Sequence, residues 1–470
     1  MEKGTRTITP DEIAAQRRWI ADIREMLPSG SAAGILTFGC QQNVADSQRI
    51  AGMMREMGYE ITDDLTKCDL IVVNTCAIRE HAELKALSRT GQLKHLKAAN
   101  PRLKIGLCGC MIQQKHRIDD IREKYPYVDF IFGTHMIHRF PEVLYNALST
   151  SKRQISIDQS DGYIAEGIAL RRESSYQAFV NIMLGCDNYC TYCVVPYVRG
   201  RQRSRRREDI IAEVRGLIES GYREITLLGQ NVNSYGLDLP EGERVDFASL
   251  IEEVAVIEGD FWVRFMTSHP KDVPDRLIDV IAANEKIERH FHLPLQSGDN
   301  RILGLMNRRY TREYYMEIVR KLRGKVGKIA LTTDIITGFP SESEEEFERT
   351  LKMVDEVGYD NIFSFIFSER KGTPAYSMEG KLPYAVKQAR HARLLELHHR
   401  RMLEINKSYA GQRLRALVEG KSSKGERIYT ARTSTNKLVN FTCERDFTGE
   451  FVTVEITKAG LHALSGKIIM

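Results

Sequence analysis

Twice along this chain, short apolar runs of strand length alternate with segments of helical periodicity. A helix between two strands returns the chain to its starting edge, so the strands lie parallel, with helices covering their faces. The first block spans 31–150, with strands expected at 34–38, 69–74, 104–107 and 130–132 and helices at 45–57, 80–98, 112–124 and 137–147. It reads as an open parallel α/β domain. The second block has strands at 178–183, 223–228, 262–267, 289–294, 328–335 and 361–367, with helices near 207–220, 247–257, 274–284, 311–323 and 343–357. Six such units predict a partial TIM-like (β/α)6 barrel over 173–407, with its site in the loops after the strand C-termini. A polar helical extension over 1–30 precedes the first block, and 151–172 reads as a linker between the two. After a long helix over 383–409, residues 408–470 switch to short alternating strands at 414–418, 427–430, 438–442 and 451–456, which predicts a small antiparallel β barrel.

No apolar run reaches membrane-spanning length, and the charged N-terminal stretch lacks the apolar core of a secretory signal. The expectation is a cytoplasmic protein with no membrane partner. Disulfides are then of little use, and metal binding or catalysis is the better account of any tight group among the nine cysteines.

One group is tight. In GCDNYCTYCVVPYVRG, residues 185–200, Cys186, Cys190 and Cys193 follow a predicted strand and precede a helix. Three thiolates hold three irons of a cubane and leave one open to a substrate, whereas a fully ligated cluster only passes electrons. A zinc site is the competing reading, but structural zinc cysteines come in CxxC pairs and no His lies in this loop. Three further cysteines, Cys40 in TFGCQQNVADS, Cys76 in VVNTCAIRE and Cys110 in GLCGCMIQQ, each sit where a strand of the first block passes to its helix. Their side chains can meet at one sheet edge. From the residues alone, a second cluster and ordinary core cysteines remain equally open.

The Cys186 to Cys193 segment resembles the CxxxCxxC motif of radical S-adenosylmethionine enzymes, and Tyr192 matches the aromatic often found there. GCQQNVADS, NTCAIRE and CGCMIQQ resemble the N-terminal domain of the methylthiotransferases within that superfamily, and HLPLQSG, TDIITGFPSES and FSFIFSERKGTPA resemble its radical domain. ARTSTNKLVNF resembles the TRAM domain, a small RNA-binding β barrel. The resemblance runs from about residue 33 to the C-terminus. It implies two 4Fe–4S clusters, one on Cys186, Cys190 and Cys193, the other on Cys40, Cys76 and Cys110. Cys108 and Cys68 are left structural, with a swap between Cys108 and Cys110 as the main alternative. It further implies reductive cleavage of S-adenosylmethionine to methionine and a 5′-deoxyadenosyl radical. Gly338 and Pro340 would shape a loop against the cofactor's adenosine, and Gln230, Asn231, Gln296 and Ser297 would meet its polar edges. As lone residues these are ordinary loop features.

Within the family, DNYCTYCVVPYVRGRQRSR is most similar to the members that place a methylthio group on carbon 2 of N6-isopentenyladenosine, next to the anticodon. That carbon bears an unactivated C–H bond, beyond the reach of side-chain acids and bases. The implied partners are a tRNA anticodon stem-loop, a low-potential electron donor such as flavodoxin or ferredoxin, and a sulfur donor or iron–sulfur carrier. Arg199, Arg201, Arg203, Arg205 and Arg206 form a dense run after the cysteines, and guanidinium groups suit phosphates. The expected RNA contacts are these five with Arg432, Asn436 and Lys437 of the terminal module. Alternatives are a sister enzyme for threonylcarbamoyladenosine, one for a ribosomal-protein aspartate, and a non-catalytic iron–sulfur RNA-binding protein.

Overall fold

The computed structural model describes residues 7–78, 80–150, 152–423 and 425–469. Residues 1–6 of the expected N-terminal extension, residue 151 at the start of the expected linker, and residues 79, 424 and 470 lie outside the described residues.

The first block is a six-stranded, all-parallel sheet. Its strands are β1 (Ala32–Thr37), β2 (Glu60–Ile61), β3 (Leu70–Thr75), β4 (Lys104–Gly109), β5 (Phe130–Phe132) and β6 (Gln154–Ser156), in the order β2-β1-β3-β4-β5-β6. β3 shows why its sequence reads as an unbroken apolar run. Leu70 and Val72 pack on one face while Ile71 and Val73 pack on the other, as a parallel sheet covered on both sides requires. β2 and β6 are too short to announce themselves, and β6 falls inside the segment read as a linker. The N-terminal extension is also part of this domain. Helix Pro10–Met26 opens with a Thr9/Glu12 capping box, and its Ile20 and Ile23 join the core of the helix Phe140–Ser149.

The second block holds six parallel strands in chain order, Gln177–Asn181, Glu224–Leu228, Trp262–Phe265, His290–His292, Ala330–Thr337 and Asn361–Ile366. They form two three-stranded sheets joined by a single parallel bridge between Val263 and Ile287. This is the partial barrel expected.

Helix Tyr384–Lys407 leads into a closed five-stranded barrel. Its last strand, Leu464–Ile469, lies outside the four expected ones. Gly466 interrupts the alternation there, and it is required because a Cβ would crowd Val454 and the Glu455 carbonyl. This barrel is seated on the second block. Lys437 pairs with Asp360 at 2.8 Å, Trp262 packs edge-on to Phe451, and Arg264 donates to the Thr433 carbonyl and to Asn436. Among the described residues, no helix is long and apolar enough to cross a membrane.

Candidate active site between two cysteine groups

Cys40, Cys76 and Cys110 follow β1, β3 and β4, three adjacent strands of the first sheet, at their C-terminal ends. Asn43 organises them. Its amide nitrogen donates to the carbonyls of Phe38 and Thr75, both at 2.9 Å, which turns its oxygen toward the Cys40 thiol at 3.7 Å and the Cys110 thiol at 4.0 Å. Gly39, at φ +129°, leaves room for Cys76, since a Cβ there would stand 3.0 Å from its sulfur. Cys108 points the other way, into the apolar core with Phe130 and Phe132, and Cys68 is buried beside Ile71 and Leu93. Burial pushes the Cys110 thiol up to about 12 against the pull of Arg199. A thiol so placed needs a cation or a metal to ionise.

The second group lies on the loop after strand Gln177–Asn181. Gly185, at φ +79°, lets the loop cross the Arg201 carbonyl, where a Cβ would overlap it. The Cys193 amide donates to the Cys190 carbonyl, and buried Arg308 donates to the Cys190 sulfur at 3.3 Å. Burial pushes the Cys186 thiol up to about 11. Tyr192 packs with Ile302, Met306, Phe339 and Phe367, which fixes the loop against the barrel wall. The two groups are neighbours, because Ala77 and Cys110 share one buried cluster with Val194 and Val198, which follow Cys193. Among the described residues no three Cys, His, Asp or Glu side chains converge on one ion position. The thiolates of a cubane bind different irons and need no such convergence.

Buried polar groups gather in the loops after two neighbouring barrel strands. The Asn231 side-chain oxygen, both polar atoms of the Asn233 amide, the Ser268 hydroxyl and His269 Nε2 have no hydrogen-bond partner among the described residues. Thr267 holds a left-handed backbone at φ 71° while its carbonyl accepts from the Val232 amide. A strained β-branched residue beside orphaned donors and acceptors fits a polar ligand with amine, carboxylate and hydroxyl groups.

Three family models match the chain: Uncharacterized protein family UPF0004 over 32–133, the Radical SAM superfamily over 180–354 and the TRAM domain over 407–469. A tRNA-2-methylthio-N(6)-dimethylallyladenosine synthase of Acetivibrio thermocellus is 46% identical, with 100% of each chain covered. The chain belongs to this family, the MiaB-type methylthiotransferases. Proteins of the same name from Thermoanaerobacter pseudethanolicus (45% identical, 98% of each chain) and Carboxydothermus hydrogenoformans (48% identical, 93% of this chain and 98% of that one) agree. Among solved structures, the radical S-adenosylmethionine methyltransferase TsrM from Kitasatospora setae superposes with a TM-score of 0.53 at 13% identity, covering 84% of this chain and 79% of that one. That likeness shows the fold.

The methylthiotransferase scaffold redistributes the other expected site residues. Gln230 accepts from the Gly185 amide at 2.5 Å and donates to Gln42, so it braces the cysteine loop. Asn231 donates to Asp272 and keeps its oxygen free of partners among the described residues. Gln296, at φ 69°, bridges to Ile335, and buried Ser297 is engaged with Thr350 and the Asp299 amide. Gly338 and buried Pro340 flank Phe339, which touches the Tyr192 cluster, and the Gly338 amide is held by Glu342.

The expected RNA contacts need the larger correction. Arg199, Arg203 and Arg205 are buried. Arg205 is clasped by Glu166 and Glu213, and Arg203 donates to the carbonyls of Arg199 and Arg201. Of the five, only Arg201, paired with Asp187, and Arg206 are exposed. Arg432 pairs with Glu419, while Asn436 and Lys437 seat the terminal barrel. Arg432 and Lys437 donate to protein acceptors, and Asn436 accepts through its side-chain oxygen. The sequence reading missed Asn43, Arg308, Ser268 and His269. For the last two, the SHP triplet directly after a predicted strand was the available signal.

Proposed function

We propose that this chain adds a methylthio group to carbon 2 of N6-isopentenyladenosine next to the anticodon of tRNA, using S-adenosylmethionine and two iron–sulfur clusters. The observation that carries the reading is the pairing of two three-cysteine groups across one shared wall, with an orphaned polar ring beside the second. Cys186, Cys190 and Cys193 would hold the cluster that supplies reductive cleavage of S-adenosylmethionine, the source of the radical that an unactivated C–H bond demands. Cys40, Cys76 and Cys110 would hold the auxiliary cluster. Asn231, Asn233, Ser268 and His269 bind and orient the polar ends of the cofactor. Ala77, Val194 and Val198 exclude water between the groups, which protects a radical from quenching.

A cavity of about 400 Å³ opens beside this wall, with His116, His135, Lys371 and Tyr197 among its lining. Tyr197 and Tyr189 are both exposed and stand edge-to-face at 6.1 Å. Unpaired bases stack on such rings, and Lys115 and Lys371 offer charge to phosphates, which supports RNA as substrate over a protein side chain. A low-potential electron donor and a sulfur source complete the reaction. The division into domains follows the same chemistry, one unit for each cluster and one barrel docked behind, with helix Pro10–Met26 and strand Gln154–Ser156 joining the unit expected at 31–150.

The test is anaerobic reconstitution. The chain is expected to bind about eight irons, and C186A/C190A/C193A about four with no 5′-deoxyadenosine formed. Deoxyadenosine from the triple variant refutes the assignment. Nucleoside analysis of tRNA from a deletion strain lacking any redundant enzyme decides the substrate, since retained methylthio-isopentenyladenosine refutes it.

A further inference from the structure

We propose that Arg199 is a positioning residue that couples the two cysteine groups: it belongs to the radical loop, yet its guanidinium is the buried cation of the auxiliary site. This rests on the proposed second cluster. Arg199 lies six residues after Cys193, at the end of helix Val195–Arg199. Its Nε donates to the Cys110 sulfur at 3.2 Å, and its Nη2 donates to the Asn43 oxygen at 3.1 Å and pairs with Asp46 at 2.7 Å. Arg199, Asp46 and Cys110 are 5%, 2% and 0% exposed, so this charge has no solvent to screen it. Its placement is fixed from behind. Gly200, at φ 72°, stops the helix, and the Arg199 carbonyl accepts from Arg203 at 3.0 Å.

Three thiolates around a cluster gather negative charge in a dry site. A donor to a ligand sulfur, and a fixed positive charge beside it, favour the reduced cluster and raise its potential. Asp46 opposes part of that charge. The arginine therefore sets the auxiliary potential between two limits, and it does so from the domain that holds the other cluster. A shift of the radical loop away from the N-terminal sheet would withdraw the donor from Cys110.

The test is a redox titration read by EPR on the full chain carrying C186A/C190A/C193A, so that only the auxiliary cluster reports. R199Q is expected to move the midpoint to more negative values and R199K to restore part of the shift. D46N, which leaves the arginine unopposed, moves it to more positive values. A purely structural ion pair predicts the same disturbance from either end. Midpoints that stay put in both R199Q and D46N, or that move the same way, overturn the proposal. If R199Q loads no iron, R199K against D46N gives the same opposite-sign comparison. Failure of the underlying reading is distinguishable, because the unaltered triple-cysteine background would then show no cluster signal at all.

Discussion

Replacing Arg264 with Leu tests whether the terminal barrel is docked by the contacts that the sequence assigned to RNA. Arg264 is 6% exposed and lies between Glu224 and Glu288, which are 1% and 2% exposed. It pairs with Glu224 at 2.6 Å, makes a closer contact with Glu288, and donates to Asn436 and the Thr433 carbonyl, both at 3.3 Å. Removing the cation leaves two carboxylates buried together. Breaking a buried pair in this way costs about 3–5 kcal/mol. At about 1.4 kcal/mol per factor of ten, the equilibrium constant for the packed arrangement falls by about two to three and a half powers of ten. The loss is expected as accelerated proteolysis near residues 408–411 and as faster hydrogen exchange in strand Ile428–Thr433. E224Q/R264L, with one charge fewer, is expected to recover part of the loss. An R264L protein whose barrel exchanges and cleaves like the parent at pH 8 refutes the docking argument.

G39A is expected to strip the auxiliary site alone, because its Cβ meets Cys76 and the backbone at φ +129° disfavours any side chain. Iron analysis should fall by about half while deoxyadenosine formation persists. Alanine at both Lys115 and Lys371 is expected to lower the salt dependence of RNA binding by a slope of about 1–2, whereas K437A leaves it unchanged; titrations of a stem-loop at several salt concentrations read both. Acid sensitivity is expected from His398, whose imidazole burial holds down at about 4 and whose Nε2 accepts from the Ile362 amide. A depressed histidine contributes stability above its unfolded value that is lost as pH falls from about 6.5 to about 4. H398Q should flatten that part of a melting-temperature profile.

What could be read in advance followed from local pattern. A run such as DLIVVN announces a strand covered on both faces, and cysteines at the ends of three such strands can meet at one edge. Cys186, Cys190 and Cys193 carry their spacing in the sequence. Other features depend on partners far along the chain. β6 has three residues and gains its identity only from pairing with β5. The strand Leu464–Ile469 closes the barrel by pairing with two strands at once, antiparallel to one and parallel to the other, which no local alternation encodes. Ser268 and His269 look like any loop until their burial leaves them without partners among the described residues.

The arginine run shows why charge density in a sequence does not translate into surface charge. The loop from Gly185 to Arg205 crosses itself and the linker, and this leaves backbone carbonyls inside that need donors. The carbonyls of Asn181, Arg199 and Arg201 accept from Arg205 and Arg203. Guanidinium groups serve this purpose because each offers five donors in one plane. The countercharges, Asp46, Glu166 and Glu213, come from the N-terminal domain, the linker and the following helix, so Arg199 ties the cysteine loop to the first and Arg205 ties it to the other two. Of the five expected arginines, an RNA backbone drawn to this face would find Arg201 and Arg206. On the proposed function, the surface that would hold it lies beside the loop, where Tyr197 lines the cavity with Lys115 and Lys371 and exposed Tyr189 stands edge-to-face with Tyr197. On the proposed function, the loop that would hold the radical cluster also reaches the auxiliary cysteines through Arg199, and base recognition would fall to its aromatic residues.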